Sequence, residues 1–110
     1  MGGYIAFDFD GTLAHHEHGD DPDILGDPIL AMVLLAKEHA KTHEVRIMTA
    51  RVCSKFPVEE IRKQTKLIQD WAQIFLGFRP VVTAEKDYEM IKLYDDRAVQ
   101  VQTNTGRLIE

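Results

Sequence analysis

Cysteine is nearly absent from this 110-residue chain: Cys53 stands alone. It has no disulfide partner, there are too few thiols for a cysteine-based zinc site, and a lone thiol fits a reducing compartment, with the cytoplasm as the expectation. Long apolar runs are also missing. The longest uninterrupted one, Ile29 to Ala36, falls far short of the roughly 20 residues that span a bilayer. The N-terminus carries no basic region followed by an apolar stretch, so neither a membrane span nor a secretory leader is expected. Seven glycines and four prolines beside 45% hydrophobic residues exclude collagen-like and disordered classes. Lys and Arg are wholly absent from residues 1–36, which hold seven acids; residues 37–110 hold 13 basic and 11 acidic residues. The net charge of -5 is therefore local, and it excludes a basic nucleic-acid coat protein without excluding a phosphorylated end as substrate.

One domain over residues 1–110 is the natural count for this length. Such a chain can bury about 65% of the surface that its unfolded form exposes, enough for a core without staples. Tyr4-Ile5-Ala6-Phe7-Asp8-Phe9 reads as a buried strand closed by the Asp10-Gly11 turn pair. Residues 14–27, aperiodic and rich in His, acids and Gly, form a loop or small flap. Asp27 is placed to cap a helix over Ile29–Ala40, with Pro28 in its first turn. A second strand spans 44–49. A long helix follows Pro57, with Val58, Ile61, Ile68, Trp71 and Phe75 at helical spacing, Glu59 and Glu60 in its first turn and Gly77 at its end. Short strands are expected at 81–83, 90–94 and 98–102. This alternation predicts a mostly parallel α/β sheet with right-handed crossovers.

The chemistry-bearing residues fall at predicted strand ends. Period two would aim Asp8 and Asp10 at one place, and like charges that close call for a hard divalent cation. Gly11 permits the turn, and Thr12 offers a hydroxyl to an anion or to the carboxylates. Asp95 and Asp96 end another strand, and in an open parallel sheet the C-terminal strand ends share the edge where ligands bind. Thr49 ends the second strand, with Arg51 just behind. Lys86 lies on the approach to Asp95. Four carboxylates, a hydroxyl and several cations on one edge suit Mg²⁺ and phosphate.

At this point the sequence resembles the haloacid dehalogenase-like phosphohydrolase superfamily, over about Tyr4 to Thr103. Its motifs match a hydrophobic strand followed by Asp8-Phe9-Asp10-Gly11-Thr12, then Thr49 after Val45-Arg46-Ile47-Met48, then a lysine, then Asp95-Asp96 after Leu93-Tyr94. The stretch from Asp95 to Val101, with Asn104-Thr105-Gly106 behind it, looks like a branch of small members found in bacteria and phages. The resemblance implies a Rossmann-like three-layer sandwich of strand order 3-2-1-4-5, without a cap domain. It implies a Mg²⁺-dependent phosphatase acting on phosphomonoesters through an aspartyl-phosphate on Asp8, with Asp10 as general acid and base. Thr49 and Lys86 would hold the phosphoryl group, with Arg51 beside them. Asp8, Asp95 and Asp10 through its backbone carbonyl would ligate the metal, with Asp96 in support.

Alternatives stand beside these assignments. Lys92 competes with Lys86 for the third motif; Lys86 is preferred because it precedes the strand. Arg51 and Arg97 either bind phosphate or pair with Asp10, Asp95 or Asp96. His15, His16 and His18 are either a solvated loop cluster, a transition-metal site or a flap that touches substrate. Cys53 reads as a buried small hydrophobe, and Trp71 and Phe75 as core. The open site would take a phosphorylated small molecule, a nucleotide or a nucleic-acid end, or be closed by a second copy of the chain; no membrane partner is expected. Rival classes are a receiver-like phospho-acceptor domain and a catalytically weak binding or regulatory protein.

Overall fold

A computed structural model describes residues 2–16 and 21–109. Its elements are β1 (Tyr4–Asp8), α1 (Leu30–Ala40), β2 (Glu44–Met48), a 3-10 turn (Ala50–Val52), α2 (Val58–Phe75), β3 (Val82–Thr83), β4 (Met90–Tyr94), β5 (Gln100–Val101) and β6 (Leu108–Ile109). Four strands pair in parallel in the order β3-β2-β1-β4. Aromatic and β-branched residues make β1 the central strand, and Tyr4, Ala6 and Phe7 have no exposed surface, as a strand covered on both faces requires.

The side-chain alternation of β1 separates two unlike faces. Ile5 and Phe7, with Val45 and Ile47 of β2, join the core with Val33 and Ala36 of α1 and with Ile68, Trp71 and Ala72 of α2. Both helices therefore lie on this one face. The strand order dictates this, because β1-α1-β2 and β2-α2-β3 step in the same direction, and right-handed crossovers then place their helices on the same side. The other face, with Tyr4, Ala6 and Asp8, carries no helix among the described residues. The segment between β3 and β4 crosses it, with the Asp87 carboxylate accepting from the Tyr4 hydroxyl at 2.9 Å and the Arg46 guanidinium 3.9 Å over the Tyr4 ring. The expected three-layer sandwich is thus two layers and a strap. Residues 84–89 are too few for a crossover helix, since a βαβ connection needs about 10–12 residues.

Three further expectations change. The strand foreseen at 98–102 does not extend the sheet as its fifth member: β5 turns back onto β6 in an antiparallel hairpin, with Asn104 and Gly106 at positive φ in the turn. Asp27 does not cap α1, which begins at Leu30 with Ile29 as its cap residue and no side-chain cap bond; the Asp27 carbonyl instead accepts from the His15 amide at 2.8 Å. Cys53 is half-buried. Of the stripe expected on the long helix, Ile68 and Trp71 are buried and Ile61 and Phe75 half-buried, with Gln64 and Ala72 buried beside them, while Val58 stands exposed. No helix among the described residues is long and apolar enough to cross a membrane.

Candidate functional site

The C-terminal ends of β1, β2 and β4 meet along one edge. Carboxylate oxygens of Asp8, Asp95 and Asp96 lie within 4.8 Å of one another, at the rim of a cavity of about 630 Å³ that Thr49, Arg97, Cys53 and Met48 also line. Asp8 shares its face of β1 with Tyr4 and Ala6. Burial, the hydrogen bond with Asp96 and the charge of Asp95 push the Asp8 carboxyl up to about 7. Asp96, held by that same hydrogen bond with Asp8, lies below the ordinary carboxylate range. Without a cation the crowded pair therefore holds a proton more tightly than isolated carboxylates do, Asp8 being the member pushed up. Three hard oxygen donors this close fit Mg²⁺, which binds through a few carboxylates and keeps several waters.

Local backbone structure fixes the cluster. Beyond Phe9 the chain turns sharply, with the Leu13 and Ala14 amides both donating to the Phe9 carbonyl at 3.0 Å. Gly11 sits at φ +86°, and a Cβ there would come within 2.5 Å of the Asp96 carboxylate; the position admits only glycine if Asp96 is to stay where it is. The Thr12 hydroxyl donates to Asp96 Oδ1 at 3.2 Å and accepts from the Asp96 amide at 3.1 Å. Asp95 Oδ1 accepts from the Arg97 amide at 2.8 Å. Thr12 thus serves the carboxylates.

Asp10 does not join them. The strand ends at Asp8, so the two-residue period stops there and the Asp10 side chain turns to Arg51 in a bidentate pair, Nε to Oδ2 at 2.7 Å and Nη2 to Oδ1 at 2.9 Å. Both aspartates line the same cavity, but Asp10 offers no carboxylate to the cluster that could hold a cation. Arg51 Nη1 donates to Gln64 Oε1 at 2.9 Å and also to the Pro22 carbonyl. The Gln64 amide in turn donates to Asp23 Oδ1 at 3.0 Å and to Glu60 Oε2 at 3.2 Å. Pairing with Asp10, one of the two alternatives for Arg51, is the one observed.

Gln64 is the participant that the sequence reading missed. It lies four residues before Ile68 and seven before Trp71, on the apolar stripe of α2, and is 1% exposed. A polar residue on a buried stripe has to find partners, and that was the available signal. Thr49 is buried at the cavity, its Oγ1 accepting from the Arg51 amide at 3.2 Å. Neither Lys86 nor Lys92 lines the cavity. Lys86 follows Ala84, which does, and Lys92 is exposed on β4. The cations at this cavity are Arg51 and Arg97. Of the histidines, His16 Nδ1 lies 3.9 Å from Asp10 Oδ1 and His15 is exposed; His18 lies outside the described residues. Trp71 packs edge-on against Phe9 and donates from Nε1 to the Gly26 carbonyl at 2.9 Å, while Phe75 is half-buried against the core.

No family model and no curated protein matches the chain. Among solved structures, the fold is similar to that of a conserved protein from Bacteroides thetaiotaomicron, with a TM-score of 0.59 at 18% identity over 89% of this chain and 78% of that one.

Proposed function

We propose that the chain is a Mg²⁺-dependent phosphatase that hydrolyses phosphomonoesters through an aspartyl-phosphate on Asp8, as the motif resemblance implies. The observation that carries this reading is the Asp8, Asp95 and Asp96 cluster beside Thr49 at the C-terminal edge of the sheet. Asp8, Asp95 and Asp96 would hold Mg²⁺, which when bound offsets the charge that otherwise opposes attack by a carboxylate on an anionic phosphate.

In the first step an Asp8 oxygen forms a bond to phosphorus and the ester P–O bond breaks. The leaving oxygen takes a proton from Asp10. In the second step water, giving a proton back to Asp10, attacks phosphorus and releases phosphate from Asp8. Such acid–base assistance contributes about 10²–10⁴-fold. Both Asp10 oxygens accept from Arg51, so the proton in transit would occupy a remaining lone pair of either oxygen. Thr49 and Arg97 line the cavity as the proposed phosphate partners, and Lys86, on the adjoining strap, is the lysine that the motif resemblance assigns to the same role.

Purified protein should release phosphate from para-nitrophenyl phosphate with Mg²⁺, and both EDTA and Asp8→Asn should abolish it. Equal trace activity in wild type and Asp8→Asn would sink the proposal. The Arg51 clamp also favours a second reading, a phospho-acceptor whose acyl phosphate persists because the residue that would activate water is held. A phospho-Asp8 outlasting catalytic turnover would select that reading.

A further inference from the structure

A second cavity, of about 1080 Å³, adjoins the first and shares Asp10, His16 and Arg51 with it. One wall is the loop over Asp21–Asp27 and the opposite wall is the start of α2 with Phe56. The loop is fastened there: Trp71 holds Gly26, Arg51 holds Pro22, and Asp23 accepts from Gln64 and from Lys63 Nζ at 3.0 Å. The volume suits a small organic ligand, since such pockets run to roughly 300–1,000 Å³.

We infer that this cavity receives the organic part of the substrate, and that this part carries no second anionic group. The inference rests on the phosphatase reading and narrows its substrate class. A phosphate seated at Asp8 would project its ester oxygen past Asp10, which stands between the cavities, into this space. Among the described residues five carboxylates line it, Asp10, Asp21, Asp23, Asp27 and Glu60, against the cations Arg51 and Lys63 and the imidazoles of His15 and His16. Those cations are already committed: Arg51 to Asp10, and Lys63 to Asp23 and to Glu60 at 3.2 Å. A further phosphodiester or carboxylate there would meet an excess of like charge, with His15 and His16 the remaining side chains on the lining that can carry a positive one. Phe56, Ile24 and Leu25 provide apolar surface for a ring or an alkyl chain. Monophosphates of nucleosides, sugars or amino alcohols fit; oligonucleotide ends and bisphosphates do not.

Matched probes separate the classes. Adenosine 5′-monophosphate, ribose 5-phosphate and phosphocholine are compared with the 5′-phosphorylated dinucleotide pApA and with 2-phosphoglycerate, methyl phosphate reporting on the phosphate site alone. The uncharged or cationic probes should exceed the anionic ones by about tenfold or more in kcat/KM. Phe56→Ala should raise KM for adenosine 5′-monophosphate about fivefold and leave methyl phosphate unchanged. Asp27→Lys should narrow the gap for pApA. Equilibrium binding of adenosine 5′-monophosphate and pApA to the Asp8→Asn protein repeats the comparison without turnover. Turnover that is indifferent to probe charge and to both variants overturns this inference while leaving the phosphatase intact. Charge-selective binding without turnover in wild type overturns the phosphatase and leaves the cavity assignment standing.

Discussion

Replacing Asp8 by Asn should stabilise the metal-free protein at pH 8 while abolishing its response to Mg²⁺. Asp8 titrates at about 7 in the folded protein, against 3.8 for an unperturbed carboxyl. Between those values the native state holds a proton that the unfolded chain has lost, so stability declines as pH rises through this window. Three pH units correspond to about 4 kcal/mol at 1.36 kcal/mol each. Asp8 is only half-buried, and the depressed titration of Asp96 returns part of the cost, so solvent screening brings the net effect to about 1–2 kcal/mol. Asn removes the charge while keeping an oxygen that can accept from the backbone and an amide that can donate to Asp96.

The expected gain in EDTA at pH 8 is a rise in Tm of roughly 4–10 °C, scaled from domains of this size. At pH 5 wild type has passed through only the first part of the window between 3.8 and about 7, so the gain should shrink to less than half, and it vanishes only below the unperturbed value. Adding Mg²⁺ at pH 8 should raise the Tm of wild type and leave Asp8→Asn unchanged, because a ligand stabilises only the state that binds it. Thermal unfolding followed by circular dichroism measures all three conditions for both proteins. An Asn variant no more stable than wild type at pH 8, or equally stabilised at pH 5, refutes the picture of crowded carboxylates.

Four other outcomes follow from the same geometry. Gly11→Ala forces a Cβ into Asp96 at positive φ; it should cost about 1–2 kcal/mol in denaturant unfolding and remove Mg²⁺ stabilisation at pH 8. Arg97→Ala should lower kcat/KM more than Lys86→Ala, because only Arg97 lines the cavity; the reverse order in phosphate-release assays assigns the phosphate contact to Lys86. Gln64→Leu leaves Arg51 and Asp23 short of a buried partner and should cost about 1–3 kcal/mol by urea midpoint. Trp71→Phe loses the bond to Gly26 and should cost about 1 kcal/mol, with faster proteolysis in the loop over Asp21–Asp27.

The edge that carries Asp8, Thr49, Asp95 and Asp96 was readable because parallel strands place their C-terminal ends together, so hydrophobic runs followed by polar residues locate it without any knowledge of packing. The Asp10 carboxylate stands apart from the Asp8, Asp95 and Asp96 cluster because the two-residue period of a strand does not extend past its last residue, Asp8. The Asp10–Arg51 pair depends on how the 3-10 turn docks beside the first strand, a tertiary choice that leaves no local pattern. The missing third layer was implicit in loop length: six residues between β3 and β4 cannot make a crossover helix. The last strand was visible as β-prone sequence, but the turn residues Asn104 and Gly106, which fold it back into a hairpin, were read only as part of the family pattern.

Arg51 joins the two halves of the site. Its fork places Nε and Nη2 on the residue proposed to move protons, while Nη1 holds the α2 glutamine and the loop that walls the larger cavity. A lysine offers three donors from a single point and cannot occupy both sets. Movement of the loop therefore withdraws support from the clamp on Asp10. One guanidinium thus ties the Asp10 side chain to both the start of α2 and the loop wall of the larger cavity.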